Sequence, residues 1–480
     1  MICKISLAER AHEKERKTVN WELVMIDKEN VEWVLYQNPE VVRDLQNEGI
    51  KRMMALCQKG HRFYQEFFSK NGIDFESIRT VEDLESVPLT SKYDYMEHPE
   101  DFILKIQDAP AFERILYNLL YTTGTSTGRP TPFYNTAHDY YATLMAAKRL
   151  ASIMGIMSND VIANTYPLTN VPHLTFFGAF CCATVSGASL VSTLTGTPHP
   201  DFPVTNSSYR AAQMIQECKA TIIWGIPSFI RRLLMMAEEM GLRYPYLRLA
   251  AVASEPCSQG LREDIIQRMK GLGASNPVVN NRYGFTEIST VFTECDPRGE
   301  NGFHNPAPDL FFLETVDEQT GKRVPKGNPG YLAVTHLNRR GTVLIRYLAG
   351  DIAVISNEAC PACGRTTSRI VSQPYRKSEL LKFKGTLINP KPLVSALSEI
   401  PEVEEFQVIF TRLTPSDPLS QDHLQVKLST RSDREKVKEK VINLAVQVVE
   451  MRPEVIFVDQ NEIYDIDKSF KSKRIIDLRK

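Results

Sequence analysis

A short run of hydroxyl side chains and glycines, Tyr121–Pro130, has the clearest chemical character in this sequence. Gly124 and Gly128 let the backbone turn and approach a ligand without a Cβ in the way, so that consecutive N–H groups can converge on phosphate oxygens. Arg129 adds a positive charge. The G-x-x-x-x-G-K-[ST] pattern of the P-loop NTPases is absent. The run therefore predicts another kind of phosphate loop, with a polar surface loop as the alternative. The candidate phosphate-binding residues are Thr122, Thr123, Gly124, Thr125, Ser126, Thr127 and Gly128.

A second group of chemically active residues consists of three cysteines and a histidine. Cys295 and His304 lie on a glycine-containing stretch, and Cys360 and Cys363 follow in a C-x-x-C pair. Three thiolates and one imidazole satisfy the tetrahedral coordination of Zn²⁺, and the C-x-x-C spacing supplies two ligands on one turn. The group predicts a structural zinc site, with uncoordinated cytosolic thiols as the alternative.

The elements that would position these residues alternate between helix and strand patterns. Thr136 can cap a helix that Gly155 ends. The predicted elements that follow are strand 160–164, helix 207–219, strand 221–224, a helix from 227 to 240, strand 247–253, helix 260–270 and strand 277–280. This alternation predicts a parallel sheet covered on both faces, with right-handed crossovers. Ligands bind beyond the C-terminal ends of such strands, so the loops 253–256 and 282–287 are pocket candidates.

Before the phosphate loop, apolar residues recur at three- and four-residue steps from 49 to 70, and Asn71-Gly72 supplies a stop. The pattern predicts one amphipathic helix whose aromatic stripe packs in the core.

Composition limits the class of protein. At 480 residues the chain exceeds one ordinary core, which favours a large domain and a smaller one. Lys plus Arg total 57 against 58 Asp plus Glu, so nothing indicates nucleic acid or an anionic membrane as a partner. We find neither an apolar run of about 18 residues nor a signal peptide. Nine cysteines at irregular spacing fit a reducing compartment, and the predicted location is the cytoplasm.

The phosphate loop resembles that of the adenylate-forming enzymes, [ST]-[SG]-G-[ST]-T-G-x-P, although Thr125 stands where that pattern has its middle glycine. Two further motifs of that superfamily, Tyr283–Glu287 (YGFTE) and Tyr347–Asp351 (YLAGD), follow in the same order, with a Lys-rich C-terminus after them. The segments 72–92 and 360–365 resemble the phenylacetate-CoA ligase branch, and some members of that branch carry a Cys/His cluster.

The resemblance implies ATP and Mg²⁺ as cofactors and a role for each matching residue. Asp351 would accept hydrogen bonds from the two ribose hydroxyls. Tyr283 would pack against adenine, Thr286 would donate to phosphate, and Glu287 would bind Mg²⁺. The other predicted nucleotide contacts are Ser254, Glu255, Pro256, Arg282, Gly284 and Arg376. A segment with His173, Phe176, Phe177, Phe180, Cys181 and Cys182 corresponds to the acyl pocket, but such residues are more often core than ligand.

Beyond residue 373 the sequence becomes charged and resembles the hinge of the superfamily. Arg376 and Gly385 match the pattern, whereas Ser378 and Glu379 replace its two Asp residues. The elements predicted next are helix 392–400, strands 406–410 and 424–428, a helix opened by a capping box of Ser432 and Glu435, and strand 455–458. We therefore predict a large domain, 1–375, and a small mobile domain, 376–480.

The C-terminal tail resembles the terminal G-K-x-x-R-V-x-D pattern of the superfamily. The match gives Lys471 the catalytic position, but Phe470 replaces the usual glycine, which leaves Lys468 and Lys473 as alternatives. Without the resemblance, a solvated basic tail would be the preferred interpretation.

The predicted fold is α/β, with doubly wound, mainly parallel sheets in the large domain and a small α+β C-terminal domain. The implied reaction activates a small carboxylic acid, for which an aromatic acid is one candidate, to an acyl-adenylate and transfers the acyl group to CoA or another thiol. A carrier protein acting in trans or an amine could replace the thiol as acceptor. The resemblance also leaves open adenylation of a hydroxyl, as in the deazaflavin-adenylating synthetases, and a catalytically silent nucleotide-binding homologue. A homodimer is left open.

Overall fold

The computed structural model describes residues 31–122, 130–169, 171–196, 205–377, 381–383, 386–414, 416, 420–469 and 471–479. The predicted phosphate-loop residues 123–129 therefore lie outside the described residues, as do Ser378, Glu379, Gly385 and Phe470. Within the described ranges, no helix combines the length and the apolar character that crossing a bilayer requires.

The N-terminal part contains one long helix, α1 (Pro39–Gly60), and three short ones, α2 (Arg62–Lys70), α3 (Lys92–Glu97) and α4 (Ala111–Arg114). The prediction of one helix from 49 to 70 is wrong, because the chain breaks at His61, whose backbone is extended (φ −114°, ψ 98°). The cause is a tertiary contact. The Gly60 carbonyl accepts a hydrogen bond from Lys105 N (2.8 Å), and a Cβ on Gly60 would lie 2.3 Å from the Lys105 carbonyl oxygen. The predicted stop is confirmed, since α2 ends at Asn71 and Gly72 is left-handed (φ +65°).

The alternating segment has the predicted elements in the predicted order, together with two strands before residue 137 and a helix and a strand between 174 and 192 that were not predicted. It contains β1 (Leu116–Tyr121), β2 (Pro132–Thr136), α5 (Ala137–Met154), β3 (Val161–Asn164), α6 (Leu174–Ser186), β4 (Ser189–Ser192), α7 (Ser208–Glu217), β5 (Ile222–Gly225), α8 (Pro227–Glu239), β6 (Leu249–Val252), α9 (Gln259–Gly271) and β7 (Val278–Tyr283). Thr136 caps α5 and Gly155 ends it in the left-handed conformation (φ 66°), both as predicted.

The rest of the large domain is mainly β: β8 (Phe292–Thr293), β9 (Phe303–His304), β10 (Phe311–Val316), β11 (Gly330–His336), β12 (Tyr347–Ala353), β13 (Ile355–Ser356) and β14 (Arg369–Ile370). The main sheet has the order β13-β14-β9-β8-β7-β6-β5-β3-β4. Its strands from β7 to β4 are parallel, and helices α5 to α9 supply the side chains that bury them. The predicted α/β class with a doubly wound, mainly parallel sheet is confirmed.

A separate antiparallel sheet, β10-β11-β12, contains a bulge. Tyr331 pairs with Ile352 and Ala333 pairs with Leu348, so β12 carries two more residues than β11 over this interval. Gly350 lies in the bulge with a left-handed φ of +83°, a conformation that costs glycine little.

The C-terminal part is α+β, as predicted. Its elements are β15 (Leu381–Phe383), β16 (Thr386–Ile388), α10 (Lys391–Ser398), β17 (Glu405–Arg412), β18 (Asp422–Ser429), α11 (Arg434–Val449), β19 (Glu454–Phe457), α12 (Gln460–Ile463) and β20 (Ile475–Asp477). A sheet of order β19-β18-β17-β20 packs with α10 and α11 around a separate core.

The predicted capping box at the start of α11 is wrong. Asp433 is the N-cap and accepts hydrogen bonds from the N–H groups of Glu435 and Lys436. Ser432 lies one residue earlier, where its own N–H donates to Thr430 Oγ1.

Helix α8 contacts the C-terminal part through two arginines. Arg231 Nη1 donates to the Glu404 carbonyl and lies 3.7 Å from the Glu405 carboxylate. Arg232 donates to Gln460 and to Asn461 Oδ1, the latter at 2.8 Å. These contacts place the C-terminal tail beside the main sheet.

Candidate active site

One cavity of about 510 Å³ lies beyond the C-terminal ends of β6 and β7. All the predicted nucleotide and catalytic residues that the structure describes line it: Thr122, Ser254, Glu255, Pro256, Arg282, Tyr283, Gly284, Thr286, Glu287, Asp351, Arg376 and Lys471. These residues come from distant parts of the sequence, so the fold brings together motifs that are far apart along the chain.

The cavity also contains residues that had no predicted role. Lys92 begins α3, Lys391 begins α10, and both line the cavity, as does Gln373. The only signal for Lys92 was its place in the segment 72–92. His173 was expected to be a core residue, but it is half-buried and lines the cavity.

Asp351 follows the Gly350 bulge and is held by two donors. Tyr283 Oη donates to Asp351 Oδ2 (2.7 Å), and Arg376 Nε donates to Oδ1 (2.9 Å). Burial, together with the adjacent carboxylate, raises the pKa of Tyr283, so the phenol stays protonated and remains a donor. A carboxylate has about four acceptor positions. Asp351 can therefore keep both contacts and still accept hydrogen bonds from a ligand.

Glu287 is oriented by Tyr347, the first residue of the motif that also contains Asp351. Its side chain is buried, and Oε1 accepts a hydrogen bond from Tyr347 Oη (2.8 Å). Its carbonyl oxygen lies 2.8 Å from His336 Nε2. These contacts fix a carboxylate at the cavity wall, and oxygen ligands of this kind suit Mg²⁺.

Lys471 is the C-terminal lysine that reaches the cavity. Burial lowers its pKa, the nearby Glu255 carboxylate opposes that shift, and Arg376 adds to it. Glu255 is half-buried, desolvation raises the pKa of its carboxyl, and its buried Oε1 atom has no hydrogen-bond partner within the described ranges. Lys468 is exposed and pairs with Asp465 (2.9 Å), and Lys473 is exposed; neither lines the cavity.

Ser254, at the end of β6, has a left-handed backbone (φ +74°), although it is not glycine. Its hydroxyl lies 3.4 Å from Tyr166 Oη. Backbone strain of this kind persists where the surrounding structure holds it, often at ligand sites.

A small apolar cavity of about 40 Å³ adjoins the large one. The two share Leu174, Thr175, Arg282 and Val291. Cys181 and Cys182 are buried and line the small cavity. Phe177 and Phe180 are 40% and 38% exposed, so the core interpretation is wrong for these two. Both side chains lie on the outer side of α6 and remain exposed to solvent.

The four predicted zinc ligands converge. The ligand atoms of Cys295, His304, Cys360 and Cys363 lie within 4.8 Å of one another. Cys295 Sγ is 3.8 Å from Cys360 Sγ, and Cys363 Sγ is 3.6 Å from His304 Nε2. In a tetrahedron, Zn–S bonds of about 2.3 Å and Zn–N bonds of about 2.0 Å imply S–S edges of about 3.8 Å and S–N edges of about 3.5 Å. The donor set and its spacing fit zinc.

Comparison with known proteins adds three findings. The sequence matches the family described as AMP-binding enzyme over residues 35–338. A phenylacetate-coenzyme A ligase from Thermus thermophilus is 27% identical over 409 residues, which are 82% of this chain and 83% of that protein. Among solved structures, a 2-hydroxyisobutyryl-CoA ligase with 2-HIB-AMP in the postadenylation state covers 94% of both chains at 23% identity, with a TM-score of 0.78.

The same 2-hydroxyisobutyryl-CoA ligase has also been solved with 2-HIB-AMP and CoA in the thioesterification state. That structure gives a TM-score of 0.62 at 23% identity and covers 92% of this chain and 91% of its own. At these identities the likeness shows a shared fold.

Proposed function

Since the chain belongs to the AMP-binding enzyme family, we propose that it is an ATP-dependent, AMP-forming acid–thiol ligase. A carboxylate oxygen attacks the α-phosphorus of ATP, the bond to the β-phosphate breaks, and pyrophosphate leaves. A thiol sulfur then attacks the carbonyl carbon of the acyl-adenylate, AMP leaves, and the thiol proton passes to solvent. The observation that carries this proposal is the single cavity that gathers Tyr283, Glu287, Asp351 and Lys471.

Coenzyme A is the proposed thiol. The relative from Thermus thermophilus is named a phenylacetate-coenzyme A ligase, and one of the similar structures contains CoA. A carrier protein or an amine is the alternative acceptor, and the fate of the CoA thiol during turnover separates these cases.

The nucleotide would lie along the ends of β6 and β7. Asp351 would accept the ribose hydroxyls, since about two of its acceptor positions remain beyond those used by Tyr283 and Arg376. Adenine would lie between Tyr283 and the strained turn at Ser254. Thr122, whose Oγ1 accepts from Thr131 N, lines the cavity and would contribute a hydroxyl to the phosphates.

Glu287 would hold Mg²⁺. Tyr347 occupies one of its carboxylate oxygens, which leaves Oε2 for the ion. When bound, Mg²⁺ neutralises phosphate charge. Catalysis by the protein then consists chiefly of positioning two anions in line and stabilising charge at the α-phosphate, which is the role proposed for Lys471.

We also propose the division into a large domain, 1–375, and a small mobile domain, 376–480. The C-terminal part has its own core, and its tail carries Lys471 into the cavity. The higher TM-score against the postadenylation state than against the thioesterification state supports an arrangement closed for adenylation. Thiol attack would require a second orientation.

A structural zinc is proposed at Cys295, His304, Cys360 and Cys363. It would join the stretch around β8 and β9 to the turn between β13 and β14, and none of its four ligands lines the cavity. Its role would be to stabilise the fold.

The test is pyrophosphate release with ATP and Mg²⁺ across a panel of aryl, aliphatic and amino acids, with and without CoA. We expect pyrophosphate with one class of acid and, when CoA is present, loss of its thiol and formation of AMP. Pyrophosphate without loss of the CoA thiol would favour a carrier protein or an amine as acceptor. Nucleotide binding by calorimetry with no pyrophosphate from any acid would indicate a silent homologue.

A further inference from the structure

A buried arginine that pairs with no carboxylate of the described residues lies at the junction of the two cavities. Arg282, in β7, is only 4% exposed, and its guanidinium carbon lies 3.6 Å from the centroid of the Trp224 ring. Its Nη2 atom donates to the Ala251 carbonyl (2.9 Å), while Nε has no hydrogen-bond partner within the described ranges.

Two comparably buried arginines of this protein are neutralised by carboxylates. Arg262 pairs with Glu294 at 2.7 Å, and Arg346 pairs with Glu314 at 2.9 Å. No carboxylate of the described residues forms an ion pair with Arg282, and burial lowers the pKa of its guanidinium. A buried charge without a partner is costly for folding, so a guanidinium in this state is a candidate for ligand binding.

The position of Arg282 determines which part of a ligand it meets. It is the only charged residue among the described residues that line the small cavity, whose other walls include Trp224, Tyr166 and Cys182. It also lines the large cavity, together with Lys471. An acid whose activated carboxylate lies near Lys471 would extend its other end past Leu174 and Val291 toward Arg282, because these two residues line both cavities.

We propose that the substrate acid carries a second anionic group, a carboxylate, at the end remote from the carboxylate that is activated, and that Arg282 binds this group. This inference rests on the proposed function and names its substrate class, a dicarboxylic acid activated at one end. The apolar walls would cover the carbon chain or ring between the two carboxylates, and the guanidinium stacked on Trp224 would form charge-assisted hydrogen bonds with the distal one.

The experiment compares matched pairs of acids in pyrophosphate release: butyrate with succinate, benzoate with isophthalate, and phenylacetate with homophthalate. We expect kcat/KM for the dicarboxylic member of at least one pair to exceed that of its partner by about tenfold or more, the size of one hydrogen bond to a charged group. Arg282→Gln should abolish this preference, and Arg282→Lys should retain part of it.

Two controls separate the possible failures. Asp351→Ala should weaken activity with both members of a pair and leave their ratio unchanged. In calorimetry without turnover, succinate, isophthalate or homophthalate should bind more tightly to the wild-type protein than the matched monoacid does, which tests the site even if Arg282→Gln does not fold.

Equal activity and equal binding within every pair would overturn the inference while leaving the ligase proposal intact. Loss of ATP affinity in Arg282→Gln, with the acid ratio unchanged, would also overturn it and would assign Arg282 to the nucleotide. No pyrophosphate from any acid, with preferential dicarboxylate binding still present, would contradict the proposed function and support the anion site.

Discussion

Individual residues of the two tyrosine motifs hold each other in place. Tyr283 of the first motif donates to Asp351 of the second, and Tyr347 of the second donates to Glu287 of the first. Each motif thus supplies both a carboxylate and the donor for the other carboxylate. The sequence could predict the motifs because each is local, but it could not predict this exchange, which depends on β7 and β12 meeting in space.

Two lysines of the cavity show the same limit of prediction from sequence. Lys92 and Lys391 begin helices at distant points of the chain and look like ordinary surface residues, yet both line the cavity. Nothing local distinguishes a lysine that faces a ligand from one that faces water.

Asp351→Ala should raise the Michaelis constant for ATP and leave the fold intact. Each hydrogen bond from a ribose hydroxyl to a charged acceptor contributes about 1.5 to 3 kcal/mol. Calorimetry with ATP and steady-state kinetics would measure the loss. Tyr283→Phe is the matched control, because it removes one donor to Asp351 but keeps the carboxylate, and should therefore lower affinity less. An unchanged Michaelis constant in Asp351→Ala would contradict the ribose assignment.

As pH rises, the adenylation rate should begin to fall at a pH below 10.5, the ordinary pKa of lysine, because burial lowers the pKa of Lys471. The protonated lysine is the active form, and it is lost as pH rises through the lowered pKa. A pH profile of kcat/KM for pyrophosphate release would show this limb. Lys471→Arg, which keeps its charge to higher pH, should move the limb upward. The same limb in both proteins would assign it to another group.

At the scale of elements, the sequence predicted the helix ends that depend on neighbouring residues. It failed where a contact with a distant segment determines the structure. Thr136 and Gly155 mark the ends of α5 because capping is a local matter. The break between α1 and α2 is imposed by Lys105, which donates to the Gly60 carbonyl, and no pattern within 49–70 carries that information. Likewise, the Gly350 bulge that precedes Asp351 depends on pairing with β11.

Gly350→Ala should weaken ATP binding and lower stability. A left-handed alanine costs about 1 to 2 kcal/mol, and relief of that strain would shift Asp351. Gly327→Ala is a matched control, since Gly327 also has a φ of +83° and open space around its Cβ position, but its neighbours in the chain do not line the cavity, whereas Ala349 and Asp351 beside Gly350 do. Thermal unfolding should show a similar loss in both variants, whereas ATP affinity should fall only in Gly350→Ala. Equal ATP affinity in the two variants would mean that the bulge does not position Asp351.

One zinc ion per chain should be found by metal analysis of protein purified without chelator. Cys360→Ser should lose the metal and lower the unfolding midpoint by several degrees, because metal binding contributes to folding free energy. Cys218→Ser, at a half-buried cysteine outside the cluster, should keep the metal. Zinc-free protein of full stability would contradict the site.

At the scale of the whole molecule, the sequence predicted the order of the two parts and the character of each. It could not predict how they meet, because the contacts are spread over polar side chains of distant elements, such as Arg231, Arg232 and Asp467. Asp467 Oδ1 accepts from Ser208 N (2.9 Å), and Ser258 and Ser398 are joined through their hydroxyls (2.6 Å). These polar contacts are the kind that allow one part to move against the other.

Lys471→Ala should lower adenylate formation by two or more orders of magnitude, as loss of a preorganised charge costs about 3 kcal/mol or more. Conversion of synthetic acyl-adenylate to thioester should persist.

Arg232→Ala, which removes the contact with Asn461, should reduce only the first half-reaction, and by less than Lys471→Ala does. Lys468→Ala and Lys473→Ala are the controls. If either of these abolishes pyrophosphate release while Lys471→Ala does not, the alignment across Phe470 is wrong. Equal loss of both half-reactions in all lysine variants would contradict the two orientations.

The ion pair between Arg376 and Asp351 joins the first residue of the proposed small domain to the proposed ribose acceptor. Thermodynamic linkage then makes ATP affinity and domain orientation reciprocal. If bound ATP favours the orientation in which Arg376 pairs with Asp351 by a certain factor, that orientation raises the affinity for ATP by the same factor. Removing the guanidinium in Arg376→Ala would weaken this coupling, so that contacts such as Arg232 with Asn461 would influence nucleotide binding less. Through Asp351, the occupancy of the nucleotide site would therefore influence the orientation of the proposed small domain.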